Sequence, residues 1–308
     1  MKKLYTAAVL CMLVYLEGCI KQDYSLCGVE NNLVLSFKYE DAAGKDIFSD
    51  KINSVDVTIF DENYFYTAHK RVSQSDLNNF RGVRFSLDPG TYYAVCWGNV
   101  SSYSLLPYLD NSSVLSNCQL ITVSDESGSQ LYYSPAKEVG DTAVPSADYT
   151  IYRIVVPGGT VTEKTMEFVR AHRSVHVYVK NFKYAEMPVI ELTNMPQSYN
   201  FLLETLASRK NYQRVSGLVN TPDGEMYLAS FHTPIAKFAP DMDVKVRKNP
   251  DLTVVGTLNL KDWVDSNIHT IEDINEISLI VEFGLDGSVA ISIPNWSNED
   301  VDPDWGND

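Results

Sequence analysis

Positive charge is scarce in this 308-residue chain, which has 25 lysines and arginines against 40 aspartates and glutamates. The formal net charge is -15 at pH 7, and residues 1–18 contribute a net +1 to it. Nucleic acid and anionic lipid headgroups repel a polyanion of this size. The composition therefore predicts no nucleic-acid partner, and any attachment to a membrane has to come from something other than a basic surface.

Long apolar runs are also missing, since none reaches the roughly 20 residues that a membrane-spanning helix needs. The longest covers residues 4–16 and follows Lys2 and Lys3, which is typical of a secretory signal peptide. It ends in Leu16-Glu17-Gly18-Cys19, which resembles the lipobox of bacterial lipoproteins. The resemblance implies an acylated Cys19 as the first mature residue, and two or more acyl chains suffice for stable anchoring. The alternative is an ordinary signal peptide followed by a chance Gly-Cys pair.

Cysteine is scarce as well: the five are Cys11, Cys19, Cys27, Cys96 and Cys118. If the lipobox is used, Cys11 leaves with the signal peptide and Cys19 carries the lipid. An odd number then remains, so no more than one disulfide can form. Cys96 lies in an apolar strand and Cys118 just before another, which makes them the favoured disulfide pair. Two buried thiols that pack as small hydrophobic side chains are the alternative.

Helical periodicity is almost absent after residue 30. Only residues 75–80, after a possible serine cap, and residues 260–267 predict short helices. What recurs instead is alternation of apolar and polar residues between turns, as in residues 33–38 and 55–60. This pattern is typical of half-buried antiparallel strands, so the sequence predicts an all-β fold.

Two turns are especially well defined. Asp88-Pro89-Gly90 predicts a turn, with a positive φ at Gly90, that leads into a strand over residues 91–97. Near the carboxyl end, Asp286-Gly287 predicts a tight hairpin between strands at residues 277–283 and 289–293.

The length suits two β-sandwiches, and Pro157-Gly158-Gly159 suggests the joint between them. The predicted divisions are a signal peptide over residues 1–18, a lipidated linker over 19–28, sandwiches over 29–162 and 163–295, and an acidic tail over 296–308.

Several segments share their order with the landmarks of one protein family. They are Cys19 with Cys27 eight residues later, the strand over residues 55–63, Pro89-Gly90-Thr91-Tyr92 running on to Trp97-Gly98, residues 173–179 and residues 194–201. Together they resemble the Mfa2/FimB family, the anchor subunits of fimbriae made by Bacteroidales. The resemblance implies two tandem transthyretin-like or immunoglobulin-like antiparallel β-sandwiches, a lipid anchor in the outer membrane and assembly by strand exchange between subunits.

Residues that could carry chemistry form no recognisable site. His172 and His176 have the four-residue spacing of a helical zinc site, but they lie in an alternating strand, where four residues span about 13 Å. No nucleophile, phosphate-loop, dinucleotide or metalloprotease motif occurs. The sequence therefore predicts no catalysis, no cofactor and no metal. Asp141-Thr142-Ala143 resembles the tripeptide that Bacteroidetes O-glycosylate, which makes Thr142 a candidate glycosylation site, with an ordinary loop as the alternative.

These features favour an outer-membrane anchor and assembly terminator of a fimbria, whose partner is the shaft subunit, a fimbrillin. Shaft fimbrillins resemble one another in losing an early strand to a protease that cuts after arginine. Here the first arginine is Arg71, beyond the second predicted strand, so the first strand is predicted to stay attached. If the carboxyl-terminal segment pairs with the adjacent subunit, its large apolar contacts are Trp296, Val301 and Trp305.

Two alternatives stay open. One is a shaft or tip fimbrillin of the same superfamily. The other is a surface glycan-binding lipoprotein, in which Trp97, Trp263, Trp296 or Trp305 stacks on sugar rings. Trp97 ends a core-like strand, so packing in the core is the favoured role for that residue.

Overall fold

The computed structural model describes residues 29–134 and 153–297, and most of its regular structure is strand. The strands of the amino-terminal half are β1 (Leu33–Lys38), β2 (Val55–Asp61), β3 (Tyr66–Val72), β4 (Gly82–Phe85), β5 (Gly90–Gly98), β6 (Ser104–Leu105), β7 (Gln119–Thr122), β8 (Tyr132–Ser134), β9 (Arg153–Val156), β10 (Thr162–Glu167) and β11 (Val169–Arg170). Those of the carboxyl-terminal half are β12 (Arg173–Lys180), β13 (Val189–Pro196), β14 (Ser198–Asn200), β15 (Arg209–Val215), β16 (Gly217–Thr221), β17 (Gly224–Thr233), β18 (Asp243–Arg247), β19 (Val254–Asn259), β20 (Glu276–Phe283) and β21 (Val289–Ser292). The predicted all-β class is confirmed.

The helices are short, and they are α1 (Phe48–Lys51), α2 (Gln74–Asn79) and α3 (Leu260–Asn267). Ser73 caps α2 by accepting a hydrogen bond from the Asp76 backbone N–H, and the Asp76 side chain completes a capping box. Asn259 caps α3 in the same way through the Asp262 N–H. Both predicted helices are therefore present, α2 starting and ending one residue earlier than predicted.

The amino-terminal half is a sandwich of two sheets. One has the strand order β10-β1-β4, and the other has the order β11-β8-β5-β2-β3, with β9 also paired to β5. Alternating apolar and polar residues in β1 place Leu33, Leu35 and Phe37 on the face that packs into the core, where they are at most 1% exposed. Val57 and Ile59 of β2 meet them from the opposite sheet.

Both faces of strand β5 are buried, because each face packs against an apolar core. Both of its edges pair with neighbouring strands. Ala94 and Cys96 point into the core of the first sandwich, whereas Val95 and Trp97 point into a separate apolar cluster. A strand covered on both faces has a continuous apolar sequence, which explains the run around Ala94 to Trp97.

The two cysteines that were favoured as a disulfide pair are both free, buried thiols. Cys96 lies in the core of the first sandwich, and Cys118 lies in the cluster on the other face of β5. Side chains of a strand alternate between faces, so the sheet itself separates the two sulfur atoms. The Cys118 thiol donates to the Val114 carbonyl at 3.3 Å, and burial raises the pKa of Cys118 to about 11. The alternative of buried thiols describes both residues.

The carboxyl-terminal half is a second sandwich, with sheets β16-β17-β12-β20-β21 and β15-β13-β18-β19. Its central strand β12 pairs antiparallel with β17 and parallel with β20. Val175, Val177 and Val179 of β12 point into a core that α3 closes with Trp263. The predicted hairpin is confirmed, since β20 and β21 pair antiparallel and Gly287 has a φ of 88°.

The two halves share a packed joint. Strand β14 of the second half pairs with β7 in a small sheet of order β14-β7-β6. The Trp97 ring lies 4.9 Å from that of Tyr133 and 5.8 Å from that of Tyr199. The Tyr133 hydroxyl also donates to the Phe201 carbonyl at 2.8 Å. Aromatic packing therefore connects the sandwiches across the joint.

The predicted boundary near residue 163 falls within strand β10. Strand β10 pairs with β1 and β11 pairs with β8, so both belong to the first half. The first strand of the second half is β12. Local alternation looks the same on either side of residue 162, and only long-range pairing decides which sheet takes a strand.

Gly90 does not have the predicted positive φ, and that prediction is wrong. The described glycines with positive φ are Gly44, Gly159, Gly224 and Gly287. Gly90 is instead the first residue of β5, where it pairs with Val156 in extended conformation. The turn before it is held by the Tyr92 hydroxyl, which donates to the Asp88 carbonyl at 2.8 Å.

A different glycine is expected to be intolerant of substitution. A Cβ on Gly82 in β4 would lie 2.2 Å from the Leu35 carbonyl oxygen of β1, whereas one on Gly90 would come no closer than 3.4 Å to the Tyr92 ring. We expect Gly82→Ala to lower the free energy of unfolding by about 1–3 kcal/mol, because the backbones of β1 and β4 must separate. Gly90→Ala is the matched control and should stay within about 0.5 kcal/mol of the parent. Denaturant melts of both variants measure this, and equal midpoints would contradict the packing of β4 on β1.

Candidate functional site in the first strand, the sheet edges and the carboxyl-terminal end

Several residues that the sequence singles out lie outside the described ranges. They are Cys19, Cys27, Thr142, Val301 and Trp305. The acyl anchor at Cys19 and glycosylation at Thr142 therefore stay predictions. Among the described helices, none has the length and apolar character needed to cross a bilayer.

The first strand is held on both of its edges. β1 pairs antiparallel with β4 through Leu33↔Phe85 and parallel with β10 through Leu33↔Thr162. Its entry is clamped by Asn32, whose side-chain amide donates to the Leu87 carbonyl at 2.6 Å and accepts from the Leu87 N–H at 2.9 Å. At the other end, the Phe168 N–H donates to the Lys38 carbonyl at 2.8 Å. The chain thus fills the middle of this sheet with its own strand.

Open edges are found elsewhere in the described ranges. The outer strands of the four large sheets are β10 and β4, β11 and β3, β16 and β21, and β15 and β19. An outer strand has unpaired N–H and C=O groups that can pair with another chain, and proteins usually protect it with charge or short length. β21 has only the four residues Val289–Ser292, and β3 has a run of charge in Lys70 and Arg71.

The last described segment, around Trp296, packs on the outer face of the second sandwich. The Trp296 ring meets the Tyr178 ring edge-to-face at 4.8 Å, and its indole N–H donates to Asp223 Oδ2 at 3.0 Å. Beneath it is a small apolar cluster of Tyr178, Val219, Met226, Leu228 and Ile280. Trp296, a predicted partner contact, therefore packs partly against its own sheet.

The three tryptophans in the described ranges offer little surface for sugar rings. Trp97 is 0% exposed and Trp263 is 7% exposed, so neither can stack on a glycan. The predicted core role of Trp97 is confirmed. Trp296 is partly covered by the apolar cluster around Tyr178. The glycan-binding alternative depends on exposed tryptophans, so these positions weaken it.

The histidines on β12 and just before it serve the joint and the sheet. His172 is buried, and its Nδ1–H donates to the Leu131 carbonyl at 2.9 Å. Its ring meets that of His232 edge-to-face at 5.2 Å. Burial lowers the pKa of His172 to about 4 and lowers the pKa of His232 as well. In the described ranges, no group of three or more His, Cys, Asp or Glu side chains could hold a metal ion.

His176 links three neighbouring strands of the second sandwich. Its Nδ1 lies 2.8 Å from Ser230 Oγ on β17, and its Nε2 lies 2.9 Å from Glu276 Oε1 on β20. Burial opposes ionisation of Glu276, but hydrogen bonding to His176 and the charges of His176 and Arg170 lower the pKa of Glu276 to about 2. The Glu276 carboxylate of β20 is thus held by both His176 of β12 and Arg170 of β11.

A buried arginine escaped the sequence analysis. Arg173 is 1% exposed, and it donates to the carbonyls of Ile274 and Ala236 at 3.2 and 2.9 Å. Its guanidinium lies 4.0 Å from the Phe238 ring. Burial lowers the pKa of Arg173 to about 10. Only its position at the head of an apolar strand could have signalled a structural role.

A family model described as fimbrillin-A associated anchor proteins Mfa1 and Mfa2 matches residues 24–302. The chain belongs to this family. Among curated protein sequences, none matches it. The family resemblance that the sequence suggested is therefore confirmed, and it implies association with fimbrial subunits at the cell surface.

Solved structures share the fold of this Mfa1/Mfa2-family chain at low sequence identity. A proposed polysaccharide-binding protein from Bacteroides thetaiotaomicron has a TM-score of 0.63 at 13% identity, over 87% of this chain and 99% of that one. The fimbrial anchor protein Mfa2 from Porphyromonas gingivalis has a TM-score of 0.58 at 15% identity, over 86% of this chain and 97% of that one. At these identities the likeness establishes the fold alone. The family landmark Pro89-Gly90-Thr91-Tyr92 forms the entry to β5, and Trp97-Gly98 forms its end.

Proposed function

We propose that this chain is the anchor and assembly-terminating subunit of a fimbria, attached to the outer membrane by acylated Cys19. Membership of the Mfa1/Mfa2 family supports an association with fimbrial subunits. The observation that carries the terminating role is the position of β1, which is paired on both edges and buried through Leu33, Leu35 and Phe37. A subunit whose sheet is already complete has no groove there for the strand of another subunit.

The shaft subunit would then join by strand complementation at an open edge or at the carboxyl-terminal segment. The segment beyond Trp296 would be the donor in the second case, with Val301 and Trp305 as its large apolar contacts. Trp296 would serve as the point from which this segment leaves the second sandwich, since it packs on Tyr178.

Replacing the acylated cysteine is expected to detach the fimbriae. Cys19→Ala should abolish labelling of the protein by a radioactive fatty acid and release both protein and fimbriae into the medium, because the lipid is the proposed link to the membrane. Cys27→Ala is the matched control and should leave both unchanged. Unchanged fatty-acid labelling in Cys19→Ala would contradict the anchor.

Two further measurements in the same strains test the rest of the proposal. Mass spectrometry of the surface protein should find an amino terminus at Cys19, and one beyond residue 40 would contradict retention of β1. Deletion of residues 298–308 separates the routes of attachment: released fimbriae would support the donor segment, and retained fimbriae would leave the open edges as the route.

A further inference from the structure

Strands β3 and β4 are outer strands of the two sheets of the first sandwich, and they approach each other at one side of it. The Lys70 ammonium on β3 donates to the Arg84 carbonyl on β4 at 2.5 Å. Alongside lies a groove of about 550 Å³, which we call the β3–β4 groove. Lys70, Arg71 and Arg84 line it together with the apolar side chains of Val72, Phe80 and Val83. One acidic residue, Asp76, also lines it, and its carboxylate is engaged with Ser73 in the capping box of α2.

The β3–β4 groove concentrates positive charge in a chain with a net charge of -15. Arg71 is paired with Asp56 at 3.2 Å. Lys70 and Arg84, by contrast, form no ion pair with any carboxylate among the residues that the structure describes. The Arg84 guanidinium lies 4.0 Å from the Phe80 ring and the Lys70 ammonium 5.0 Å from the Phe85 ring. Cation–π contacts thus hold two neighbouring cations along the groove without neutralising them.

Charge on an outer strand has a general protective role, because it discourages pairing with apolar or like-charged strands. The same positive charge also favours one kind of partner. A strand with carboxylates is attracted to the lysine and arginine side chains, whereas a positively charged strand is repelled by them. Apolar side chains form the floor of the groove, since Val72 and Val83 are 6% and 7% exposed beneath the charged rim. A groove with open backbone groups, an apolar floor and a cationic rim suits an extended, acidic segment.

We propose that the β3–β4 groove binds an extended acidic segment of a neighbouring subunit. The segment adds to the open edge of β3, the longer of the two edges, and its carboxylates pair with Lys70 and Arg84. The kind of partner, a neighbouring subunit, rests on the proposed function; the acidic character of the segment rests on the groove alone.

A defined peptide tests this inference on the purified full-length chain with Cys19→Ala. The probe is a fluorescent peptide, Thr-Glu-Thr-Glu-Val-Glu-Thr-Glu-Thr, and its matched neutral form has glutamine at each glutamate. We expect saturable binding of the acidic form in low salt and at least about tenfold weaker binding of the neutral form. Lys70→Glu combined with Arg84→Glu should weaken binding of the acidic form by at least about tenfold as well.

The control variant combines Lys45→Glu with Lys51→Glu, which changes the net charge equally on exposed residues of the same half that do not line the groove. It should bind the acidic peptide within about twofold of the parent. Equal losses in both double variants, or equal binding of both peptides, would overturn the inference. Melting curves identical to that of the parent show that the variants are folded.

A peptide of residues 298–308, with five acidic side chains and no lysine or arginine, tests the other acidic occupant. It should bind more weakly than the probe, and tighter binding that is lost in the groove variant would assign the groove to another copy of this chain instead. Release of fimbriae by Cys19→Ala is scored separately, so the anchor proposal and this inference can fail independently.

Discussion

Lowering the pH from about 6.5 to about 4 is expected to destabilise this protein by roughly 3 kcal/mol through His172 alone. The pKa of His172 is lowered by burial from 6.5 to about 4 in the folded state. The unfolded chain therefore takes up the proton first as the pH falls. The contribution of the neutral ring to stability is fully present above the unfolded pKa, and it is lost progressively down to the folded pKa.

The geometry of the joint explains why the folded protein resists protonation. Burial is the main cause of the lowered pKa of His172, whose ring packs edge-to-face on that of His232 at 5.2 Å. The hydrogen bond that this ring donates to the Leu131 carbonyl acts in the opposite direction and favours the protonated form. Arg170 adds a positive charge nearby, while Glu276 and Asp273 oppose it with smaller effects. His232 itself bridges the halves, because its carbonyl accepts from the Gly128 N–H at 2.7 Å and its N–H donates to Ser127 Oγ at 2.8 Å. Protonation would therefore put charge into the contact between the sandwiches.

Denaturant melts at a series of pH values measure this effect. His172→Gln should reduce the dependence between about pH 6.5 and 4.5, with a remainder from His232, whose pKa is also lowered by burial. The exposed His269→Gln should leave the dependence unchanged. Glu276 contributes little above about pH 4.5, because its pKa is lowered from 4.5 to about 2 and its contribution to stability is lost as the pH falls through that lower range. A parent protein equally stable at both ends of the window would show that these rings are not buried as described.

Removal of β1 is expected to abolish folding of the first sandwich. Deleting residues 29–40 withdraws Leu33, Leu35 and Phe37 from the core, at about 1.5–3 kcal/mol each, and leaves both β4 and β10 without a partner. This loss is comparable to the whole stability of a domain, which is about 5–15 kcal/mol. The variant should accumulate poorly and show a single melting transition, that of the second sandwich.

A peptide covering residues 29–40 supplied in trans should restore the first transition, because the groove that it fills is otherwise complete. The matched control is the same peptide with Leu35→Asp, which puts a charge at a position that is 0% exposed. Rescue by both peptides, or a stable first sandwich without either, would show that β1 is not the strand that completes this sheet.

The local sequence pattern predicted strands correctly where apolar and polar residues alternate. Leu33 to Phe37 and Ile277 to Phe283 alternate, and both segments have their apolar side chains in a core. Asp286-Gly287 closes the predicted hairpin, because glycine adopts positive φ without steric cost. The same rule failed at Gly90, since a turn that feeds a paired strand can place its last residue in the sheet.

Contacts between distant residues were beyond the reach of local pattern. The favoured pairing of Cys96 with Cys118 failed because it depends on which face of β5 each sulfur occupies, and that is decided by the joint between the sandwiches. The place of β10 beside β1 depends on a parallel pairing over more than a hundred residues.

Residues close together in the chain, or motifs in fixed order, were enough to predict the all-β class, the two short helices, the hairpin and the family. The partners of β1, the burial of His172 and Arg173, the position of Trp296 and the cations of the β3–β4 groove depend on tertiary contacts. These features arise where separate strands meet, and the free energy of such contacts depends on neighbours that a local sequence pattern does not specify.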